Sequence, residues 1–540
     1  MRRAPLRPAR AWALALLLAA GCSRCGGVKS ATSAEELLVQ HPSGAIVTAP
    51  LAMLAQHAAA LVERAAQLPG GEQLGEARRQ LAGQLGFDPL TREGLLSAGL
   101  DPDRGAALAL QLGGGGARGS WVISLPLSKP DLFTSTFDRL VRERGGYAVR
   151  TDEPRGDLRI ALYARSAEAD ARGKIGAAIV RGYGLIARGE DPVGALAAAG
   201  VQTQATSLAG DPALASARKK LGGQDLLVLA PEGSELPRRF IAQTLPGNVA
   251  VGLSGSPQGI ALRLDARLPF EVAAGLQKSL PGGGASLVEL LPGDSVLRAR
   301  IGVLPGKLLE QAEALPPLAG LVAQLRTLLH QPGLEQDLFG SLAPGLALSL
   351  SLGRNANLSE AIDYGLDWRR KSPFDTVQLV ALAFVTDKPR LLKALAALPA
   401  TAGAIVRTGD DFQLTDPGGK GVRFGVREIA GDGAAGKPVF YVLGGALAPE
   451  ELRRTPRPVA PELAALYAEE GAALRLDLGQ LSSAIRNLPD TTYGSGPQSY
   501  VARSLVAQVV EPLRPVRVTL TAQANKDAFG AGLDLEIVAP

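Results

Sequence analysis

Val249-Ala250-Val251-Gly252-Leu253-Ser254 leads into a turn at Ser256-Pro257-Gln258-Gly259 and returns as Ile260-Ala261-Leu262-Arg263-Leu264-Asp265. Aliphatic side chains take every second position of both arms, with Ala, Gly, Ser, Arg and Asp between them. Successive strand side chains point to opposite faces, so the pattern predicts a hairpin with one buried and one wet face. The same writing closes the chain. Val516, Val518 and Leu520 alternate with Arg517, Thr519 and Thr521, turn near Asn525-Lys526-Asp527, and return through Leu533, Leu535 and Ile537.

Working back from each hairpin, one order of elements appears twice. In the first copy Pro42-Ser43-Gly44 opens a strand over 45–48, and a helical stretch follows from Leu51 to Leu85. After a break at Gly86-Phe87-Asp88-Pro89 come strands at 105–110 and 121–127, then Lys129-Pro130 at the start of a helix. In the second copy Pro292-Gly293-Asp294 opens a strand, and helical stretches cross Leu308 to Leu329. Strands at 345–350 and 377–385 follow, then Lys388-Pro389. The parallel continues from Tyr183–Ala187 to Val439–Leu443, and from Asp211-Pro212 with the strand 226–230 to Ala460-Pro461 with the strand 474–478. Helices between short strands, closed by hairpins, predict an α+β fold. The expected architecture is a tandem duplication of an antiparallel sheet with helices packed on one face. The boundaries are a signal peptide at 1–21, a flexible tether at 22–41, α+β repeat 1 at 42–278, a Pro/Gly-rich linker at 279–291 and α+β repeat 2 at 292–540.

The N-terminus supplies an address. Arg2, Arg3, Arg7 and Arg10 precede the apolar run Trp12 to Ala20, which ends in Leu18-Ala19-Ala20-Gly21-Cys22. A basic start, a short apolar run and small residues before a cut are the signature of export, and the run is too short to span a bilayer stably. This stretch resembles a bacterial lipoprotein signal with its lipobox. The resemblance implies a diacylglyceryl group on Cys22 and fatty acylation, which together hold the protein to a membrane. Ala19 and Gly21 also fit ordinary signal peptidase, which would leave Cys22 unmodified. Ser23, where the resemblance would put Asp for inner-membrane retention, points to the outer membrane of the bacterial envelope. The body is similar to uncharacterised exported lipoproteins of GC-rich bacteria that carry such an α+β unit in duplicate.

Composition narrows the chemistry. At 46% hydrophobic and 20% charged residues the body is globular rather than disordered. The net charge falls from +5 to +1 when Arg2, Arg3, Arg7 and Arg10 leave with the signal, so no basic footprint for nucleic acid is left. Cys22 and Cys25 are the two cysteines, and both lie in the tether, without further ligands for zinc. The three histidines, His41, His57 and His330, show no metal-binding or catalytic spacing. Ser216-Ala217-Arg218-Lys219 matches S-x-x-K without its companion motifs, Gly113–Gly116 lacks the Gly-Lys-Ser/Thr of a phosphate loop, and Asp101-Pro102-Asp103 reads as a turn. No catalytic residue, metal site or cofactor is therefore expected.

One asymmetry suggests contact instead. The second copy inserts 354–372 where the first has a short glycine loop, and the insertion carries Tyr364, Asp367, Trp368, Arg369 and Arg370. Tyr, Trp and Arg gathered on a loop suit a protein or glycan partner. A second such place is 491–500, with Tyr493 and Tyr500. The function expected is a membrane-anchored, non-enzymatic binding or scaffolding module. A periplasmic carrier of an apolar ligand is the alternative, and a cell-wall enzyme the next.

Overall fold

The computed structural model describes residues 31–538, apart from 69–70, 112–118, 233–246, 307–322, 324–332, 354–376, 399–404, 416–420, 432, 446, 448–451, 453–458, 460, 470, 489–496 and 526–527. Its strands are β1 (Gly44–Pro50), β2 (Gly105–Gln111), β3 (Ser120–Pro126), β4 (Val149–Arg155), β5 (Leu158–Ala164), β6 (Ile175–Val180), β7 (Tyr183–Arg188), β8 (Leu226–Ala230), β9 (Val249–Ser256) and β10 (Gly259–Arg267). The second half supplies β11 (Leu297–Ile301), β12 (Leu342–Leu352), β13 (Val377–Val385), β14 (Ile405–Thr408), β15 (Asp411–Thr415), β16 (Gly421–Gly431), β17 (Gly433–Gly444), β18 (Ala472–Asp477), β19 (Val516–Ala524) and β20 (Ala528–Ile537).

All described pairings are antiparallel and join these strands into one 20-stranded sheet. In the first half the spatial order is β4-β5-β6-β7-β3-β2-β1-β8-β9-β10. In the second it is β14-β15-β16-β17-β13-β12-β11-β18-β19-β20. The two orders are identical, element for element. β10 then pairs with β20, with Leu262 opposite Leu533, and this seam joins the halves. A sheet of this connectivity with helices among its strands is α+β.

Local sequence explains the helix starts. Proline at the first helical position has a preset φ and gives up a donor that would be unpaired there. Pro192–Gly200 begins in this way and Lys388–Ala396 carries Pro389 one position further in, and Asp191 and Asp387 accept the amides of Gly194 and Arg390 at 2.8 and 3.0 Å. The stretch 51–85 forms two helices, Leu51–Ala65 and Glu72–Leu85.

The expectation of helices on one face came from the alternating hairpins. Over inner strands of each half, β7 and β17, helices cover both faces. In β7, Tyr183, Leu185 and Ala187 pack with Leu196 of the Pro192–Gly200 helix, while Ile186 packs with Phe133 of the Pro130–Arg139 helix. In β17, Val439, Tyr441 and Leu443 face Tyr467, and Phe440 faces Leu391 and Leu395. Strands apolar on both sides need cover on both sides.

Two segments assigned to tether and linker belong to the core. Residues 31–38 form a short 3₁₀ turn, Ala34–Leu37, whose Ala34, Leu37 and Leu38 join the first core. Arg104 donates to the carbonyl of Ala31 at 2.8 Å, Arg181 to that of Glu36 at 3.3 Å, and Arg218 pairs with the buried Glu35. In the second half Ala285–Leu290 plays the same part, with Leu287, Val288 and Leu290 buried. The glycines before it serve left-handed backbone and close approach rather than flexibility. Gly282, Gly283 and Gly284 have φ of 86, 94 and 73°, a Cβ on Gly283 would lie 2.5 Å from the Pro344 carbonyl oxygen, and Arg300 donates to Gly283 at 2.7 Å.

Because Leu37 is fully buried, Leu37→Ala should lower unfolding free energy by about 2–5 kcal/mol in urea denaturation. A change below about 0.5 kcal/mol would show that this segment is a tether after all.

Candidate functional site

The seam is where cover on the sheet thins. On one face, Arg263 of β10 stands between Gly252 of β9 and Gly532 of β20, both without a side chain. Arg263 forks onto Asp534, with Nη2 to Oδ2 at 2.9 Å, and so ties the halves through side chains as well as backbone. Lys220 meets Asp265 at 3.0 Å and Arg517 meets Asp477 at 3.0 Å on the same polar strip. A groove of about 420 Å³ lies over it, lined by Lys220, Arg263, Asp265, Thr521 and Gln523. Each cation here has its own carboxylate, so the strip offers balanced polarity rather than an anion site.

The other face of the seam carries a row of leucines, Leu253, Leu262, Leu533 and Leu520, one from each of four neighbouring strands. Leu533 is 37% and Leu520 43% exposed, so the face that alternation marks for burial is half open here.

The Leu51–Ala65 helix reaches one end of this face. His57 packs on Gly255, where a Cβ would come within 2.7 Å of its own. His57 Nδ1 lies 2.7 Å from Asp225 Oδ2, and the Gly255 amide donates to the same oxygen at 2.6 Å. Arg64, two turns on, donates to the Ile537 carbonyl at 2.7 Å, which anchors a first-half helix to the last strand. A groove of about 580 Å³ beside Arg64 is lined by Ser254, Ser256 and Gln258. A His–Asp pair orients an imidazole for base catalysis when a nucleophile stands within reach. Ser256 is occupied instead, accepting the amides of Gln258 and Gly259 at 3.1 Å each within its turn. The pair ties helix to strand.

The remaining candidates fall into place separately. His41 is an exposed partner of Asp211 at 3.2 Å. Ser216 and Lys219 lie on the exposed side of the Pro212–Leu221 helix. Asp101 caps the turn by accepting the Asp103 amide at 3.0 Å, and Asp103 pairs with Arg92. Among the described residues no group of three or more His, Cys, Asp or Glu is placed to hold a metal ion, and no helix is long and apolar enough to cross a membrane. Cys22, Cys25, Gly113–Gly116, His330, and Tyr364, Asp367, Trp368, Arg369 and Arg370 lie outside the described residues. Of the second contact place, Tyr500 lies in the first turn of the Pro497–Val510 helix and is 70% exposed. The same helix shows Val501, Leu505 and Val509 at 61, 57 and 63% exposure. A spacing of four places them in one stripe along the helix.

No protein-family model matches this chain, and no curated protein matches it. Among solved structures, crystal forms I, III and IV of a protein named TP0453 are similar to it at 10–11% identity and TM-scores of 0.25–0.26, covering 46–47% of this chain and 85–88% of that one. A likeness of that size carries no function across.

A further groove of about 420 Å³ lies under the Pro130–Arg139 helix, with Phe133, Phe137, Arg150, Asp152 and Tyr163 around it. Burial pushes the Tyr163 phenol up to about 12, against the pull of Arg150. The neutral phenol is thus favoured in the fold. Its contribution is complete below pH 10 and is lost as pH rises through 12. Unfolding free energy should fall over that window, and Tyr163→Phe should flatten the fall; an unchanged slope would remove Tyr163 as its cause.

Proposed function

We propose that this protein is an exported bacterial lipoprotein, held to the envelope by a diacylglyceryl group on Cys22, and that its body is a non-enzymatic binding or scaffolding module. The outer membrane is the proposed site, on the strength of Ser23. The observation that carries the binding role is the stripe Val501, Leu505 and Val509, three aliphatic side chains each more than half exposed on one side of a helix. Scattered exposed leucines are ordinary on a surface, but an aligned aliphatic stripe is a contact surface without its partner. The fitting partner is an envelope protein that offers an apolar groove. The insertion at 354–372, with Tyr364, Asp367, Trp368, Arg369 and Arg370, is proposed as a further contact loop, open to protein or glycan.

The apolar-carrier reading has less support. It needs an enclosed apolar cavity, and the grooves at the seam are open and lined by Lys220, Arg263, Asp265, Ser254 and Gln258.

Two measurements test the proposal. The N-terminal peptide of protein taken from native membranes should carry the mass of a diacylglyceryl group on Cys22, and Cys22→Ala should move the protein to the soluble fraction. An unmodified Cys22 would reject the anchor. A photo-crosslinking residue at position 505 should give one discrete adduct in intact cells, lost on Val501→Asp with the unfolding midpoint unchanged. Adducts no different from those of a residue placed at exposed Gln84 would reject the contact surface.

A further inference from the structure

A twenty-stranded open sheet has two outer edges, here β4 and β14. Both are outer strands of matching hairpins. Gly156 (φ 60°) and Asp157 turn β4 into β5, while Gly409 (φ 66°) and Asp410 turn β14 into β15. Two-residue turns with a left-handed Gly first are the II′ type, whose flanking pair exchanges both hydrogen bonds. Arg155–Leu158 and Thr408–Asp411 are those pairs. Alternation along the ladder then turns the backbone groups of Asp152 and Pro154 outward in β4, and those of Ile405 and Arg407 in β14.

The two edges treat these positions in opposite ways. β4 places proline, which has no N–H, at an outward position, and flanks it with Asp152, Glu153 and Arg155. Proline and charge are the usual guards against strand addition. At the same four positions β14 reads Ile405-Val406-Arg407-Thr408. Val406 is 54% exposed. The one charge, on the exposed Arg407, bends back along its own hairpin: Nε donates to the Gly409 carbonyl at 2.9 Å, and the guanidinium carbon lies 5.4 Å from the Phe412 ring centre. Among the described residues β15 is the only strand paired with β14.

We propose that β14 pairs antiparallel with β14 of a second copy of this chain, across a two-fold axis at Val406. The register is self-complementary. Ile405 meets Arg407 of the other copy on both sides of the axis, in hydrogen-bonded pairs that exchange about four bonds between them. Val406 meets Val406 in the close, non-hydrogen-bonded position, and no like charges face each other. The chain already uses this joint internally, because β10 and β20, equivalent strands of its two halves, are joined edge to edge. The same pairing at β4 would set Glu153 against Glu153 and lose the Pro154 donors. This inference does not depend on the proposed function.

The test uses the full chain with Val406→Cys and a short bismaleimide. A crosslinked dimer should form well above the level given by the parent chain with Cys22 and Cys25, and Glu153→Cys should give no such increase. Arg407→Pro, which copies Pro154, should abolish the dimer while leaving the unfolding midpoint in place. If that variant does not fold, Val406→Glu copies Glu153, and sedimentation of this variant should show the monomer where the parent shows dimer. A parent that sediments as monomer at every concentration, equal crosslinking from position 153, or a dimer that survives both substitutions would overturn the proposal.

Discussion

Nine residue pairs between β10 and β20 turn two ten-stranded sheets into one, and the rest of the architecture follows from that ladder. Without it each half would present a long edge of alternating aliphatic residues, the kind of edge that recruits other chains. Pairing two such edges satisfies both sets of backbone groups at once. It leaves β4 and β14 as the two outer edges. The fork of Arg263 on Asp534 and the reach of Arg64 to Ile537 reinforce the ladder with side chains. The same geometry thins the cover over the middle. Helices pack over the body of each half, and the row from Leu253 to Leu520 lies where neither half's described helices extend fully.

Duplication followed by divergence accounts for where chemistry and contact differ between the halves. His57–Asp225 exists in the first half. The outer hairpins kept their Gly-Asp turns and changed their edge residues. A core must fit its neighbours on every side, whereas a loop, a helix face or an edge can change without repacking anything. The buried polar groups share this logic. Tyr441, held against Asp411 and raised by burial, and Arg300, lowered by burial and bound to the Gly283 carbonyl, are fixed parts of the core.

Much of this was legible where the signal is local. Period-two alternation marked β9, β10, β19 and β20, and the Lys-Pro pairs marked two helix starts. The outer strands escaped because Val149–Arg155 is exposed along most of its length and shows no apolar pattern; Gly156-Asp157 and Gly409-Asp410 were the turn cues that could have found them. Cover on both faces was written in Tyr183–Arg188, where five successive residues are buried, but a continuous apolar run does not say what lies on each side. Ala34–Leu37 falls in the stretch after Cys22 that reads as tether, and the arginines that hold residues 31–38 come from far along the chain: Arg104 just before β2, Arg181 in the β6–β7 turn and Arg218 in the Pro212–Leu221 helix. Asp225 lies 168 residues from His57, and nothing near either residue announces the other. The seam, the Arg263–Asp534 fork and the His–Asp pair are all contacts of the folded chain, outside the reach of periodicity.

β10 and β20 form an interior ladder of one continuous sheet. Amide hydrogen exchange read residue by residue tests it most directly. The amides that β10 and β20 turn toward each other should be protected as strongly as those of β9 and β19, while the outward amide of Asp152 in β4 exchanges fast. Exchange in β10 and β20 as fast as at β4 would contradict it, and would mean two separate sheets rather than one.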